Sequence, residues 1–120
     1  IVILGGDIVY ENTTLKQMKD AFKILSSIKS NYGIVYVYGN HDKSRYAINP
    51  NYTEEELKEA ISECRIKILE DDIYEINNEL CIIGRKDRSD SEERKSAQDL
   101  VSEFNKDYYH SILSMIAIET

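Results

Sequence analysis

Two short stretches combine residue types that can do chemistry together: Gly5-Gly6-Asp7 and Gly39-Asn40-His41-Asp42. A carboxylate can bridge two cations. An Asn side-chain carbonyl is a hard oxygen ligand, and imidazole suits a transition metal or a proton-transfer role. Glycine ahead of each group lets the backbone turn sharply and approach a bound ion or phosphate. A pair of divalent ions lowers the pKa of a bound water and clamps the oxygens of a phosphoryl group during in-line displacement. Each stretch also has a plainer reading. Gly-Gly-Asp can be a strand-to-helix turn whose Asp caps a following N–H, and Gly-Asn-His-Asp can be an ordinary turn. Their joint placement favours chemistry: each directly follows an apolar run, and one helical pattern separates them.

Those runs and patterns are the elements that must position the two stretches. Ile1 to Leu4 reads as a strand buried on both faces. Leu15, Met18, Phe22, Leu25 and Ile28 recur at three- and four-residue steps, which predicts a helix with one apolar face. Asn12 to Thr14 offer its N-terminal cap, and Asn31 and Gly33 can end it. Ile34 to Tyr38 is β-branched and aromatic, hence a strand ended by Gly39. Thr53 with Glu56 forms a capping box ahead of Leu57, Ala60, Ile61 and Cys64. Arg65 to Leu69 reads as a strand, and Ile73 to Ile83 as a hairpin turning at Asn77-Asn78. Ser91 can cap a third helix carrying Ala97, Leu100, Val101 and Phe104, and Ser111 to Ile118 is a last strand. Strands separated by helices predict a layered α/β (α+β) arrangement. In open sheets of that kind, ligand sites form at the carboxyl ends of the strands. If the first two strands are neighbours and parallel, Asp7, Asn40 and His41 converge there.

The chain has 120 residues, 42% of them hydrophobic, sufficient for one domain over 1–120 with its own core. Its net charge of -7 argues against nucleic acid or an anionic membrane as the main partner. No apolar run is long enough to span a membrane. The two cysteines, Cys64 and Cys81, lack zinc-site spacing and read as free buried thiols, favouring a reducing, cytoplasmic setting. The chain opens inside a strand and without Met, so it reads as a partial domain, with an upstream anchor left open. Glu70-Asp71-Asp72 reads as a solvated loop or as an extra cation site. Arg85 and Arg88 follow a strand end and could touch a phosphate, or lie in a solvated turn. The nine tyrosines show no stacking pattern and read as packing residues.

The run ILGGDIV, then a helix, then VYVYGNHD, resembles the GD and GNHD blocks of calcineurin-like metallophosphoesterases, and IIGRKDRS resembles a GxxD segment of a bacterial subgroup. The resemblance covers about residues 1 to 90. It implies a β-sandwich flanked by helices, incomplete in this chain. It also implies hydrolysis of phosphate esters by a metal-bound hydroxide at a binuclear centre of Mn, Fe or Zn. On that resemblance Asp7 would bridge both metals and Asn40 would bind the second. His41 would be the acid that protonates the leaving oxygen, and Asp42 would orient its neighbours.

The family's Asp-x-His block, which would precede Ile1, and its later Gly-His-x-His block are absent. The full-length parent is thus expected to hold two divalent ions, and this chain to bind metal weakly or partially. The alternative is a non-catalytic or truncated module of the same fold. His110, the only other histidine, reads as a surface or packing residue rather than a ligand. Tyr10 stands where many members carry an Asp that orients the histidine, so Glu11 or Asp42 would have to substitute.

Overall fold

The structure, a computed structural model, describes residues 1–77, 80–90, 93–108 and 114–118, with side chains described as far as Glu103. Strand β1 (Val2–Leu4) leads through helix α1 (Leu15–Ser26) into β2 (Ile34–Tyr36), and helix α2 (Glu54–Glu63) leads on to β3 (Lys67–Ile68). These three strands form one sheet in the order β1-β2-β3, parallel throughout, with Val2 opposite Ile34 and Val35 opposite Lys67. Two helical crossovers account for this, because parallel neighbours need a connection that returns the chain to the same end of the sheet. The expected adjacency of the first two strands is therefore met. A second sheet follows from β4 (Asp72–Ile76) and β5 (Leu80–Gly84), an antiparallel pair, with β6 (Ser114–Ile118) parallel to β5. Helix α3 (Ala97–Tyr108) connects β5 to β6. The result is a small α+β domain in which neither sheet closes into a barrel.

Side-chain alternation assigns the faces. Ile34, Tyr36 and Tyr38 join Met18 and Phe22 of α1 and Leu57, Ala60 and Ile61 of α2 in one core cluster. Phe22 meets the Tyr36 ring edge-on at 5.5 Å. Val35 and Val37 point the other way, into a cluster with Leu69, Ile76 and Ile82 that draws on both sheets. The approach there is close: a Cβ built at Gly84 would lie 2.9 Å from Val37 Cγ1 and nearer still to Leu69. On the far side of β5, Cys81 and Ile83 pack with Leu100 of α3. Each fully buried Leu, Ile or Phe contributes about 1.5–3 kcal/mol, so these three clusters hold the strand ends in place.

Several boundaries differ from expectation. Helix α1 stops at Ser26, well before Asn31, because the Ser26 and Ser27 hydroxyls take the carbonyls of Lys23 and Ile24. Ile28 is consequently off the helix and half exposed. The cap of α1 is Thr14, in a capping box with Gln17. Helix α3 begins only at Ala97, where the Ser96 hydroxyl accepts the Asp99 N–H. Ser91, Asn78, His110 and the first part of the expected last strand, 111–113, lie outside the described residues, as does the side chain of Phe104. Both cysteines are free. Cys81 is buried, and that burial, with Glu75 nearby, pushes its thiol up to about 11. Cys64 is only half-buried. Among the described residues no helix is long and apolar enough to cross a membrane.

Candidate functional site

Asp7 and the 39–42 turn follow the carboxyl ends of β1 and β2, and the parallel pairing of those strands brings them together. The agent of the contact is Asp42. Its carboxylate is fully buried and accepts four backbone N–H groups: Asp7 at 2.8 Å, Ile8 at 2.8 Å, Val9 at 3.1 Å and Gly39 at 2.7 Å. Three successive N–H groups aimed at one anion form a concave nest, and each bond is charge-assisted. The nest requires Asp7 to turn left-handed, at φ 53°, a region Asp tolerates better than most residues. The Asp42 carbonyl in turn accepts the Tyr52 hydroxyl at 2.7 Å.

Asp42→Ala would strand those N–H groups away from water. Each orphaned buried donor costs about 1–3 kcal/mol, so the variant should lose at least about 3 kcal/mol of stability. A drop in the urea midpoint checks this, and an unchanged midpoint would mean that Asp42 does not hold the two turns.

Asp7 itself does not cap a following N–H, as its plainer reading would have it. Its Oδ1 accepts the His41 N–H at 3.0 Å, while Oδ2 takes no hydrogen bond from the described residues. Gly39 is required beside it, because a Cβ there would stand 2.5 Å from the Asp7 nitrogen and overlap its carboxylate. Asn40 is half-buried on the same turn, between Gly39 and His41.

The imidazole of His41 is held from one side. Its Nδ1 lies 3.0 Å from both carboxylate oxygens of Glu11. Burial works to raise the Glu11 carboxyl but is outweighed. The hydrogen bond and charge of His41, with the backbone N–H groups of Glu11 and Tyr46, hold it below its usual value. An ionised carboxylate can only accept, so the Nδ1 that meets Glu11 carries a proton. Nε2 bonds to none of the described residues. Of the two carboxylates expected to be able to support His41, Glu11 makes the contact, and Asp42 bonds to the backbone instead. Tyr10 packs on the imidazole instead, with ring centroids 5.3 Å apart, and Tyr46 does so at 5.4 Å. Neither tyrosine has a sequence signal beyond its nearness in the chain to Glu11 or His41.

Because the folded-state pKa of Glu11 is depressed, its contribution to stability is present at neutral pH. It is lost as pH falls below the ordinary glutamate range. Glu11→Gln should therefore lower the urea midpoint at about pH 7, and the gap between the two proteins should narrow as pH falls below the ordinary glutamate range. A separation that does not change as the solution is acidified would refute this.

The remaining candidates are tied into the scaffold. Lys43, nearly buried, reaches Glu70 at 3.4 Å and Asp90 at 2.5 Å and lies over the Tyr38 ring. Arg45 pairs with the same Asp90. These bonds dock the turn after β5 on the 41–45 segment, a link across more than 40 residues that no local pattern signals. The acidic run after β3 is not simply solvated. Asp71 accepts the N–H groups of Lys86 at 3.0 Å and Lys95 at 2.7 Å, and Asp72 lies 3.5 Å from Lys67. Arg85 donates to the Lys95 carbonyl at 3.1 Å, and Arg88 is exposed on the docked turn.

Among the described residues no three His, Cys, Asp or Glu side chains gather around one point. One Asp7 carboxylate oxygen takes no hydrogen bond from the described residues, and carboxylate and Asn amide oxygens are hard donors of the kind divalent cations take. Compared with protein-family models, with curated proteins and with solved structures, the chain gives no match.

Proposed function

We propose that this chain carries part of the active site of a metal-dependent phosphoesterase of the calcineurin-like class. One observation carries the reading. At the carboxyl edge of two adjacent parallel strands, a carboxylate with a free oxygen (Asp7) holds the backbone of a histidine whose Nδ1 is fixed by Glu11. That is the geometry a proton donor needs beside a cation-bound phosphate. The layering also supports it: two sheets share an apolar interior, with α1 and α2 outside one and α3 outside the other. This agrees with a β-sandwich flanked by helices.

Asp7 and Asn40 would hold divalent ions, Mn²⁺, Fe or Zn²⁺, which neutralise phosphoryl charge and activate water when bound. The chain's own part follows from its bonds. Asp42 closes the two turns on each other, so Asp7 and the 40–41 segment are fixed before any ligand arrives. Glu11 holds the ring by Nδ1 and, as a carboxylate, would support its imidazolium form. In that form His41 would pass its Nε2 proton to the departing ester oxygen and be left as the neutral Nδ1–H ring. Arg88, exposed on the docked turn, would be available to a phosphate oxygen, whereas Arg85 is engaged with Lys95.

The second reading is a non-catalytic module that keeps the fold and the turns but lacks enough donors. That no His, Cys, Asp or Glu cluster gathers at Asp7 among the described residues favours it. Hydrolysis of a generic aryl phosphate ester by the complete reading frame, with and without added Mn²⁺, separates the two. Metal-dependent turnover supports the enzyme, and none with any divalent ion supports the module.

A further inference from the structure

Two tyrosines beside His41 are exposed where most aromatic rings would be buried. Tyr10 is 46% exposed and Tyr46 59% exposed, yet both stand within 5.4 Å of the imidazole centroid. Neither belongs to a core cluster. Tyr46 is held by its own N–H, which supports the Glu11 carboxylate, and Tyr10 immediately precedes Glu11. The residues that hold His41 therefore also keep two half-exposed rings beside the imidazole. A leaving oxygen that takes its proton from His41 must come within hydrogen-bond distance of the ring, so the group it carries comes within reach of these tyrosines.

Resting on the phosphoesterase reading, we propose that Tyr10 and Tyr46 form a leaving-group subsite for a planar ring, a nucleobase or a simple aryl group. Aromatic faces select planar π-systems by stacking and do so with little regard to hydrogen-bonding pattern. Aliphatic leaving groups gain only ordinary apolar contact. Each ring should be worth about tenfold in selectivity, the lower end for base–aromatic stacking.

The test compares leaving groups of matched basicity in the complete reading frame. Benzyl phosphate is set against cyclohexylmethyl phosphate, and a nucleoside 5′-phosphate against ribose 5-phosphate. The planar member of each pair should have the higher kcat/KM. Tyr10→Ala and Tyr46→Ala should each lower the planar-to-nonplanar ratio about tenfold, while Tyr→Phe at either position keeps it. Preference for benzyl but not nucleoside esters assigns the subsite to simple aryl groups; the reverse assigns it to nucleobases. If the tyrosines only steady His41, both members of a pair fall together and the ratio is unchanged, which overturns the proposal.

A second readout does not depend on turnover. Adenosine and benzyl alcohol titrated into the protein should shift the Tyr10 and Tyr46 ring protons in the NMR spectrum, and cyclohexylmethanol should not. If no ester is hydrolysed, the phosphoesterase reading fails, and this titration decides the subsite alone. Equal shifts with all three ligands, or shifts with none, would overturn it.

Discussion

Asp7→Asn should abolish metal-dependent hydrolysis in the complete reading frame and weaken divalent metal binding, while the fold survives. The argument rests on separating the two jobs of this side chain. As a structural group, Oδ1 accepts the His41 N–H at 3.0 Å, and the amide oxygen of Asn can accept that bond equally well. The backbone of residue 7 stays fixed, because its N–H goes to Asp42 and not to its own side chain. Asn also tolerates the left-handed conformation at this position. In the proposed role as a metal ligand the loss would be severe. A carboxylate that bridges two cations supplies charge compensation to both, and a neutral amide supplies none. A urea midpoint close to that of the parent, with turnover lost, is the expected pair of results. Turnover kept with Asn at position 7 would remove the residue from the site.

His41→Ala should act on turnover without acting on metal. Loss of a positioned general acid lowers the rate by roughly 10²–10⁴-fold. The loss should shrink for esters with very good leaving groups, which need little protonation. The structure gives the reason for separating His41 from the ligands. Its Nδ1 is taken by Glu11, and it is the backbone N–H of residue 41, not the ring, that bonds to the Asp7 carboxylate. Removing the ring leaves that N–H in place. Steady-state rates with aryl and alkyl esters, alongside metal content, check both halves. Metal lost with the ring would make His41 a ligand and reverse its role.

The sequence disclosed the frame of the site better than its supports. Apolar runs ending in Gly5-Gly6-Asp7 and Gly39-Asn40-His41-Asp42, with the 15–28 periodicity between, were enough to expect adjacent parallel strands with both turns at one edge. That is what β1 and β2 form. Such inference works because β-branched runs and three-to-four spacing are local signals with few competing solutions. The supports are non-local. Asp42 could be read as an orienting group, but three of its four backbone bonds depend on residues 33 to 35 positions away in the chain. Lys43 and Arg45 meet Asp90 only after the second sheet docks on the first. Glu11 was one of two candidates, and only the three-dimensional occupation of Asp42 decided between them. Tyr10 and Tyr46 looked like packing residues, because exposure is a property of the folded surface. The early end of α1 reflects hydroxyl–carbonyl bonds at Ser26 and Ser27 that compete with Asn31 and Gly33 as stop signals.

The central claim, that Asp7 and the 40–41 turn are a cation site, is tested most directly by titrating Mn²⁺ into the isotope-labelled chain. Paramagnetic broadening of backbone amide signals is then followed residue by residue. Weak binding suffices, since broadening at low occupancy still maps the site. The amides of Asp7, Asn40 and His41 should broaden first and together, and Asp7→Asn should remove the effect. Broadening centred on Glu70 to Asp72, or spread evenly over the acidic surface and unchanged by Asp7→Asn, would contradict the account.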